Sequence, residues 1–444
     1  MRTKKDLKED YFLYNGNEKK TFTLPPEWTV REHTRFPETV PATAVRDLVK
    51  SALAHPAGAK RLSEMAQKGM TAAIIVDDPA RATPIAQMLP PVLKELAEAG
   101  IRRERITIVV ALGTHRPATP KDLEAKLGRA VLQDYRVVQH DCHADNLVPI
   151  GKLLTGAEVA IDPFVARAQL KIGMGSIFPH PMNGFGGGGK ILFPGVAGFA
   201  SISEHHFHYT PEPGCVLGHM ETNPFHHEVC RMAEAAGLDF ILNCIFDARE
   251  QVVDMVAGHF ETAHRQGIEK SKQNYAFPLK EPADVTIVSA DPYEEGPQIM
   301  KPIIPASLMT TKPGGTVIVL ARCPDGMPEA MLQSFDTVFA TRPEHTGRFA
   351  VNAFKNSQPM AEGAIDFNCA IFFALVCASR THIIVVSDNL DKTAVSRLGF
   401  RYAPSLQAAI DQEQARQPEA TANIFPLGGL LLPIMPSLTH LYEF

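Results

Sequence analysis

The sequence predicts an α/β protein: two α/β domains with parallel-sheet cores and the active site in the cleft between them. Three observations carry this. Short apolar runs at 72–77, 106–112 and 135–139 alternate with helical stretches at 85–99 and 120–127. Apolar strands separated by helices belong to a parallel sheet covered on both faces. The same alternation restarts near residue 282, with strands at 285–289, 315–321 and 382–387 and a helix at 406–416. Finally, 444 residues suffice for two or three domains, each burying its own core. The polar stretch 266–282 is the expected linker, which gives domains over 1–275 and 282–444.

The elements follow in order. The first forty residues are polar and contain prolines, with Phe22-Thr-Leu-Pro read as a short strand. The run 72–77 reads as a buried strand, and the helix at 85–99 stops at Gly100, the usual helix terminator. Asp78 and Gly113-Thr-His115 fall just past the carboxyl ends of the first two strands. Open α/β sheets bind their ligands at that edge.

Bulk properties exclude several classes. A net charge of -5 is mild, so nothing points to nucleic acid or an anionic membrane surface. No window is apolar for long enough to span a bilayer. The segment Met1-Arg-Thr-Lys-Lys-Asp-Leu-Lys-Glu-Asp is charged and lacks the apolar core of a secretion signal. Seven scattered cysteines without a CxxC pair indicate reduced thiols and a cytoplasmic setting.

The chemistry concentrates at Phe178-Pro-His-Pro-Met-Asn-Gly-Phe-Gly-Gly-Gly-Gly-Lys190, followed by Glu204-His-His-Phe-His208. A glycine run lets backbone N–H groups approach a ligand, although it also serves tight packing. Lysine can bond covalently to a carbonyl-type partner, and histidine binds metal or moves protons. Gly184 to Lys190 imitates a phosphate-binding P-loop. Such a loop needs Ser or Thr next, where this chain has Ile191, and the proline-containing Pro179 to Asn183 cannot be the strand that should feed it.

In these motifs the chain resembles the nickel-pincer lactate racemases and their 2-hydroxyacid racemase and epimerase relatives. The resemblance is carried by Asp78-Pro-Ala-Arg81-Ala-Thr-Pro84, Gly113-Thr-His115-Arg116, His140-Asp141, Pro179-His180-Pro181, Gly186-Gly-Gly-Gly-Lys190 and Pro194-Gly195 with His206, and more weakly by the stretch from Gln298 to Lys301. It implies a pyridinium-3-thioamide-5-thiocarboxylic acid mononucleotide joined to Lys190, its two sulfurs and one ring carbon holding nickel. Gly187, Gly188 and Gly189 would lie against that cofactor, and Asp78 would stand beside it or orient an arginine. His206, sixteen residues after the lysine, would be the protein's nickel ligand, with His205 and His208 as competitors. His115 and His180 would be the acid/base pair. Arg81 and Lys301 would hold the substrate carboxylate, with Gln298 as a neighbouring polar contact.

A racemase needs two proton-handling groups because the enantiomers present their hydroxyls on opposite sides. The resemblance implies that one histidine takes the hydroxyl proton while the α-hydride moves to the cofactor. The 2-keto acid then turns, and hydride returns to its other face. Lactate-specific members carry an aromatic residue just before Gln298, where this chain has Pro297. A larger or more polar 2-hydroxy acid, such as a sugar acid or malate, is therefore expected. The implied partners are that small acid and the enzymes that build the cofactor, and a homodimer is one assembly the sequence permits. A different class remains open: a zinc-dependent hydrolase or lyase using the His206 cluster.

Overall fold

In the computed structural model, residues 11–34, 36, 43–341, 346–362 and 365–435 are described. The charged segment 1–10 lies outside them. The chain forms two compact units, Glu38–Asn274 and the combination of Met1–Pro37 with Tyr275–Phe444.

Within Glu38–Asn274, a six-stranded sheet runs Val252–Gly258, Phe240–Phe246, Leu170–Ile177, Ala72–Asp77, Ile106–Ala111, Arg136–Gln139. All neighbours are parallel except the antiparallel edge strand Val252–Gly258. Ala72 to Val76 and all of Leu170–Ile177 are buried, as strands covered on both faces must be. The first three strands proceed to one side of Ala72–Asp77, and the next lies on its other side. The order therefore reverses between Ala72–Asp77 and Leu170–Ile177. Ligand sites of open α/β sheets form outside the carboxyl ends at such a reversal. Asp78 follows the first of these strands directly, and Pro179-His180 comes two residues after the second.

The other unit has its own six-stranded parallel sheet, ordered Arg401–Ala403, His382–Val386, Thr311–Leu320, Ala283–Ser289, Thr421–Phe425, Thr29–His33. Its edge strand comes from the beginning of the chain. Thr29–His33 pairs in parallel with Thr421–Phe425, so the first residues join the C-terminal unit and not the single domain over 1–275 that was expected. The expected strand at Phe22-Thr-Leu-Pro is also displaced: the strand is Glu18–Phe22, paired with Tyr11–Asn15. The stretch expected to be a linker is mostly helix, Phe260–Tyr275. Its buried residues Phe260, Ala263, His264, Ile268, Ser271 and Tyr275 recur every three or four positions. Among the described residues no helix is long and apolar enough to cross a membrane.

Candidate active site

Asp78 anchors the carboxyl edge. It is 6% exposed, and its Oδ2 lies 3.0 Å from His115 Nδ1 and 3.8 Å from Arg81 Nε. The main-chain N–H of Ala80 donates to its Oδ1 at 2.7 Å. Burial alone would raise this carboxyl's pKa. The hydrogen bond from His115, the charges of Arg81 and His115 and the Ala80 N–H outweigh it and hold Asp78 well below the usual carboxylate range. An ionised carboxylate only accepts, so Nδ1 of His115 carries a hydrogen, and in the neutral ring the lone pair is on Nε2. The expected place of Asp78 was beside the cofactor or orienting an arginine. In the structure its Oδ2 faces both His115 and Arg81.

Beneath it, Asp77 pairs with the buried Lys126 at 2.8 Å, and Thr83 Oγ1 donates to its other oxygen at 2.5 Å. Lys126 also donates to the carbonyl of Arg81 at 2.8 Å, which fixes the turn from which Arg81 projects. The Arg81 guanidinium lies 5.6 Å from the centre of the Phe178 ring. The planar fork thus rests on an aromatic face, a placement lysine would not reproduce.

The His180 side is built as a hairpin. Pro179–His180 pairs with Gly184–Phe185, and Gly184 turns the chain with φ +73°. Two main-chain N–H groups, of Met182 at 3.3 Å and Asn183 at 3.1 Å, donate to His180 Nδ1. Asn223 holds the turn from outside by donating to the Met182 carbonyl at 2.9 Å.

The glycine loop is packed against protein. A Cβ on Gly186 would stand 2.9 Å from the Phe178 ring, on Gly187 2.8 Å from Ile177 and 2.9 Å from Asn243, on Gly188 2.7 Å from the His264 ring, and on Gly189 2.8 Å from Ala233. The N–H of Gly188 donates to Asn243 Oδ1 at 2.9 Å, and that of Gly186 to the Phe178 carbonyl at 2.7 Å. Close packing of chain on chain by itself demands glycine at all four positions, whether or not Gly187, Gly188 and Gly189 also lie against a ligand. The loop ends in the 3₁₀ turn Gly188–Ile191, which presents Lys190 half-buried.

The histidine cluster divides along the helix Phe199–Tyr209. His208 is exposed. His205 is fully buried, its ring 4.1 Å from that of Phe225 and 4.9 Å from that of Phe193, and its Nε2 lies 3.2 Å from the Phe225 carbonyl. Burial, then the charge of His206, and further down Lys190, push its pKa well below the usual histidine value, so it stays neutral. His206 is buried too, and its Nδ1 donates to the Ile202 carbonyl one turn back at 2.8 Å. In the neutral ring that bond leaves Nε2 as the lone-pair nitrogen, the form in which imidazole binds a metal. Among the described residues no group of three or more His, Cys, Asp or Glu side chains is placed to hold a metal ion. His205, His206 and His208 thus do not form the shared metal site a zinc hydrolase would need. His140 is a core histidine: its Nε2 is 2.9 Å from the Ala197 carbonyl and its Nδ1 3.7 Å from Asp162.

In the other unit, Gln298 caps its own turn. Its Oε1 accepts from the Glu295 N–H at 3.3 Å, so that group has a structural use. The Lys301 ammonium sits 3.2 Å from the centre of the buried Tyr293 ring. An aromatic partner is therefore supplied by Tyr293, four residues before Pro297. Phe178, Asn243 and His264 carry the structural work here and were not singled out as site residues from the sequence. His264, whose Nε2 lies 2.8 Å from the Gly186 carbonyl, is 78 residues away in the chain, and no local signal links the two.

Residues 15–218 match the profile of the lactate racemase N-terminal domain. The chain is 33% identical over 284 residues to the lactate racemase of Thermoanaerobacterium thermosaccharolyticum, covering 63% of this chain and 66% of that one. It is 28% identical over 380 residues to the lactate racemase of Lactiplantibacillus plantarum, covering 84% and 87%. The solved structure of the T. thermosaccharolyticum lactate racemase apoprotein superposes with a TM-score of 0.84 at 27% identity, over 97% of this chain and all of that one. A Thermotoga maritima protein of solved structure shares the fold alone, with a TM-score of 0.64 at 18% identity, over 90% of this chain and all of that one. These likenesses place the molecule among the racemases, enzymes of the isomerase class. It belongs to the lactate racemase family, which uses a nickel cofactor.

Proposed function

We propose that the protein is a racemase or epimerase of 2-hydroxy acids that inverts C2 by reversible hydride transfer. Lys190 would carry the nickel-pincer nucleotide covalently, and Nε2 of His206 would ligate its nickel. The observation that carries this proposal is the ionised Asp78 bound to His115 Nδ1 beside Arg81, at the carboxyl edge where the strand order reverses.

The residues fit a group that brings most of its own metal donors. It needs one amine and one neutral ring nitrogen from the protein, and Lys190 and His206 offer those. When bound, the group supplies the hydride acceptor. The chain does the rest. Arg81, propped on Phe178, offers two parallel N–H donors to the carboxylate. Nε2 of His115 takes the hydroxyl proton, and Asp78 stabilises the imidazolium that results. His180 serves the oxygen on the opposite face.

Pro297, with less bulk than an aromatic residue, and the polar groups from Tyr293 to Glu295 favour an acid larger or more polar than lactate, such as a sugar acid or malate. The Tyr293 ring on Lys301 limits how much room Pro297 opens. The partners in this proposal are that acid and the cofactor-building enzymes, in the cytoplasm. The test is a panel of 2-hydroxy acids given to protein co-produced with those enzymes, followed by chiral chromatography. Racemisation of at least one acid, with larger acids faster than lactate, is expected. No racemisation of any acid by cofactor-loaded protein would defeat the proposal, and preference for lactate would defeat its substrate part.

A further inference from the structure

We infer that His115 and His180 enter turnover as opposite tautomers, so that they are unequal partners. The inference rests on the proposed racemase function for its meaning, and on hydrogen-bond directions for its content.

A neutral imidazole carries one hydrogen, and the partner of one nitrogen decides where it sits. At His115 the partner of Nδ1 is the Asp78 carboxylate, which can only accept. The hydrogen is therefore on Nδ1, and Nε2 is a base. At His180 the partners of Nδ1 are the N–H groups of Met182 and Asn183, which can only donate. The hydrogen is therefore on Nε2, and His180 presents a donor. The same ring atom thus meets an acceptor in one residue and donors in the other.

The consequence for the reaction is specific. His115 can take the hydroxyl proton on Nε2 while its Nδ1–H stays on Asp78. His180 can hold and polarise the substrate oxygen through Nε2–H. It becomes an imidazolium only if Nδ1 gains a proton, and that requires both main-chain N–H groups to leave it. The turn at 181–183 is then a positioning element for His180, as Asp78 is for His115. Gly184, at φ +73°, and Asn223, which grips the Met182 carbonyl, keep that turn closed.

The tautomers can be read without cofactor or substrate. The full chain is labelled with ¹⁵N-histidine, and the ring signals of His115 and His180 are assigned by their loss in His115→Gln and His180→Gln. At neutral pH, His115 should show a protonated Nδ1 and an unprotonated Nε2, and His180 the reverse. Asp78→Ala should turn His115 into a mixture and leave His180 unchanged. The same tautomer in both residues, or His180 protonated on Nδ1, would overturn the inference. The result is independent of racemisation. Opposite tautomers in a protein that racemises nothing would defeat the proposed function alone, and matching tautomers in an active racemase would defeat this inference alone.

Discussion

The strand edge around Asp78 and the glycine loop before Lys190 solve opposite problems. At the edge, polar groups are pre-paired: Asp78 with His115 and Arg81, Asp77 with Lys126 and Thr83. In the loop, side chains are removed so that Phe178, Ile177, His264 and Ala233 can pack against bare backbone. The edge is tuned by electrostatics and the loop by volume. A substitution at the edge should therefore change chemistry more than stability, and one in the loop the reverse.

Lys190→Ala should have the largest effect, removing the cofactor adduct and all racemisation while the fold persists. Chiral chromatography and circular dichroism check both halves, and residual activity would show that the tether is elsewhere. Next comes Gly188→Ala. Its Cβ would strike the His264 ring at 2.7 Å, and its φ of +58° disfavours any side chain. A loss of about 1–3 kcal/mol is expected from overpacking of this kind, read by denaturant unfolding. An unchanged midpoint would contradict the packing role assigned to the loop.

Asp78→Asn keeps most of the shape of the edge but removes its charge. Racemisation should fall by about 10²–10⁴-fold, the usual worth of a positioned acid or base, with little change in unfolding midpoint. A variant that lost stability and kept its rate would reverse the comparison. His206→Ala should lose nickel and keep the lysine-linked nucleotide, whereas His205→Ala should keep most of the nickel. Metal analysis beside intact mass separates them, and the opposite pattern would exchange the roles of these neighbours.

The smallest effect concerns pH. Burial pushes His264 down to about 4 and His226 down to about 3. Both are neutral when folded and protonate more readily when unfolded. Their contribution to stability is complete above about 6.5, the ordinary histidine value, and is lost progressively as pH falls toward 4. The unfolding midpoint should therefore drop between pH 7 and pH 5, less steeply in His264→Gln. A flat profile would show that these rings are not buried as described.

The core strands Ala72–Asp77 and Ile106–Ala111 were legible because both faces are buried and their positions are almost all apolar, whereas Leu170–Ile177, Phe240–Phe246 and Thr421–Phe425 were missed because Lys171, Ser176, Asn243 and Asn423 interrupt their apolar runs. The loops after Ala72–Asp77 and Ile106–Ala111 were legible as the carboxyl edge of the sheet for the same reason. The helix Phe260–Tyr275 was not, because its buried stripe includes His264, Gly267 and Ser271 among the apolar residues. Gly267 is there so that Ile177 can reach the backbone, since a Cβ would stand 2.2 Å from its Cδ1. Periodicity fails when buried positions carry small or polar residues that only a distant partner explains. The edge strand Thr29–His33 was missed because it is only half-buried and its partner is nearly four hundred residues later. In the site, residue types were legible and hydrogen-bond directions were not. Nothing in the sequence says that Nδ1 of one histidine faces a carboxylate and that of the other faces two N–H groups.

The central claim is that Lys190 carries the cofactor at this site. Its most direct test is the intact mass of the full chain co-produced with the cofactor-building enzymes, followed by peptide mapping. The account predicts an adduct of the nucleotide's mass on the peptide containing Lys190, absent from Lys190→Ala. An adduct on a different lysine, or an unmodified chain that still racemises a 2-hydroxy acid, would contradict it.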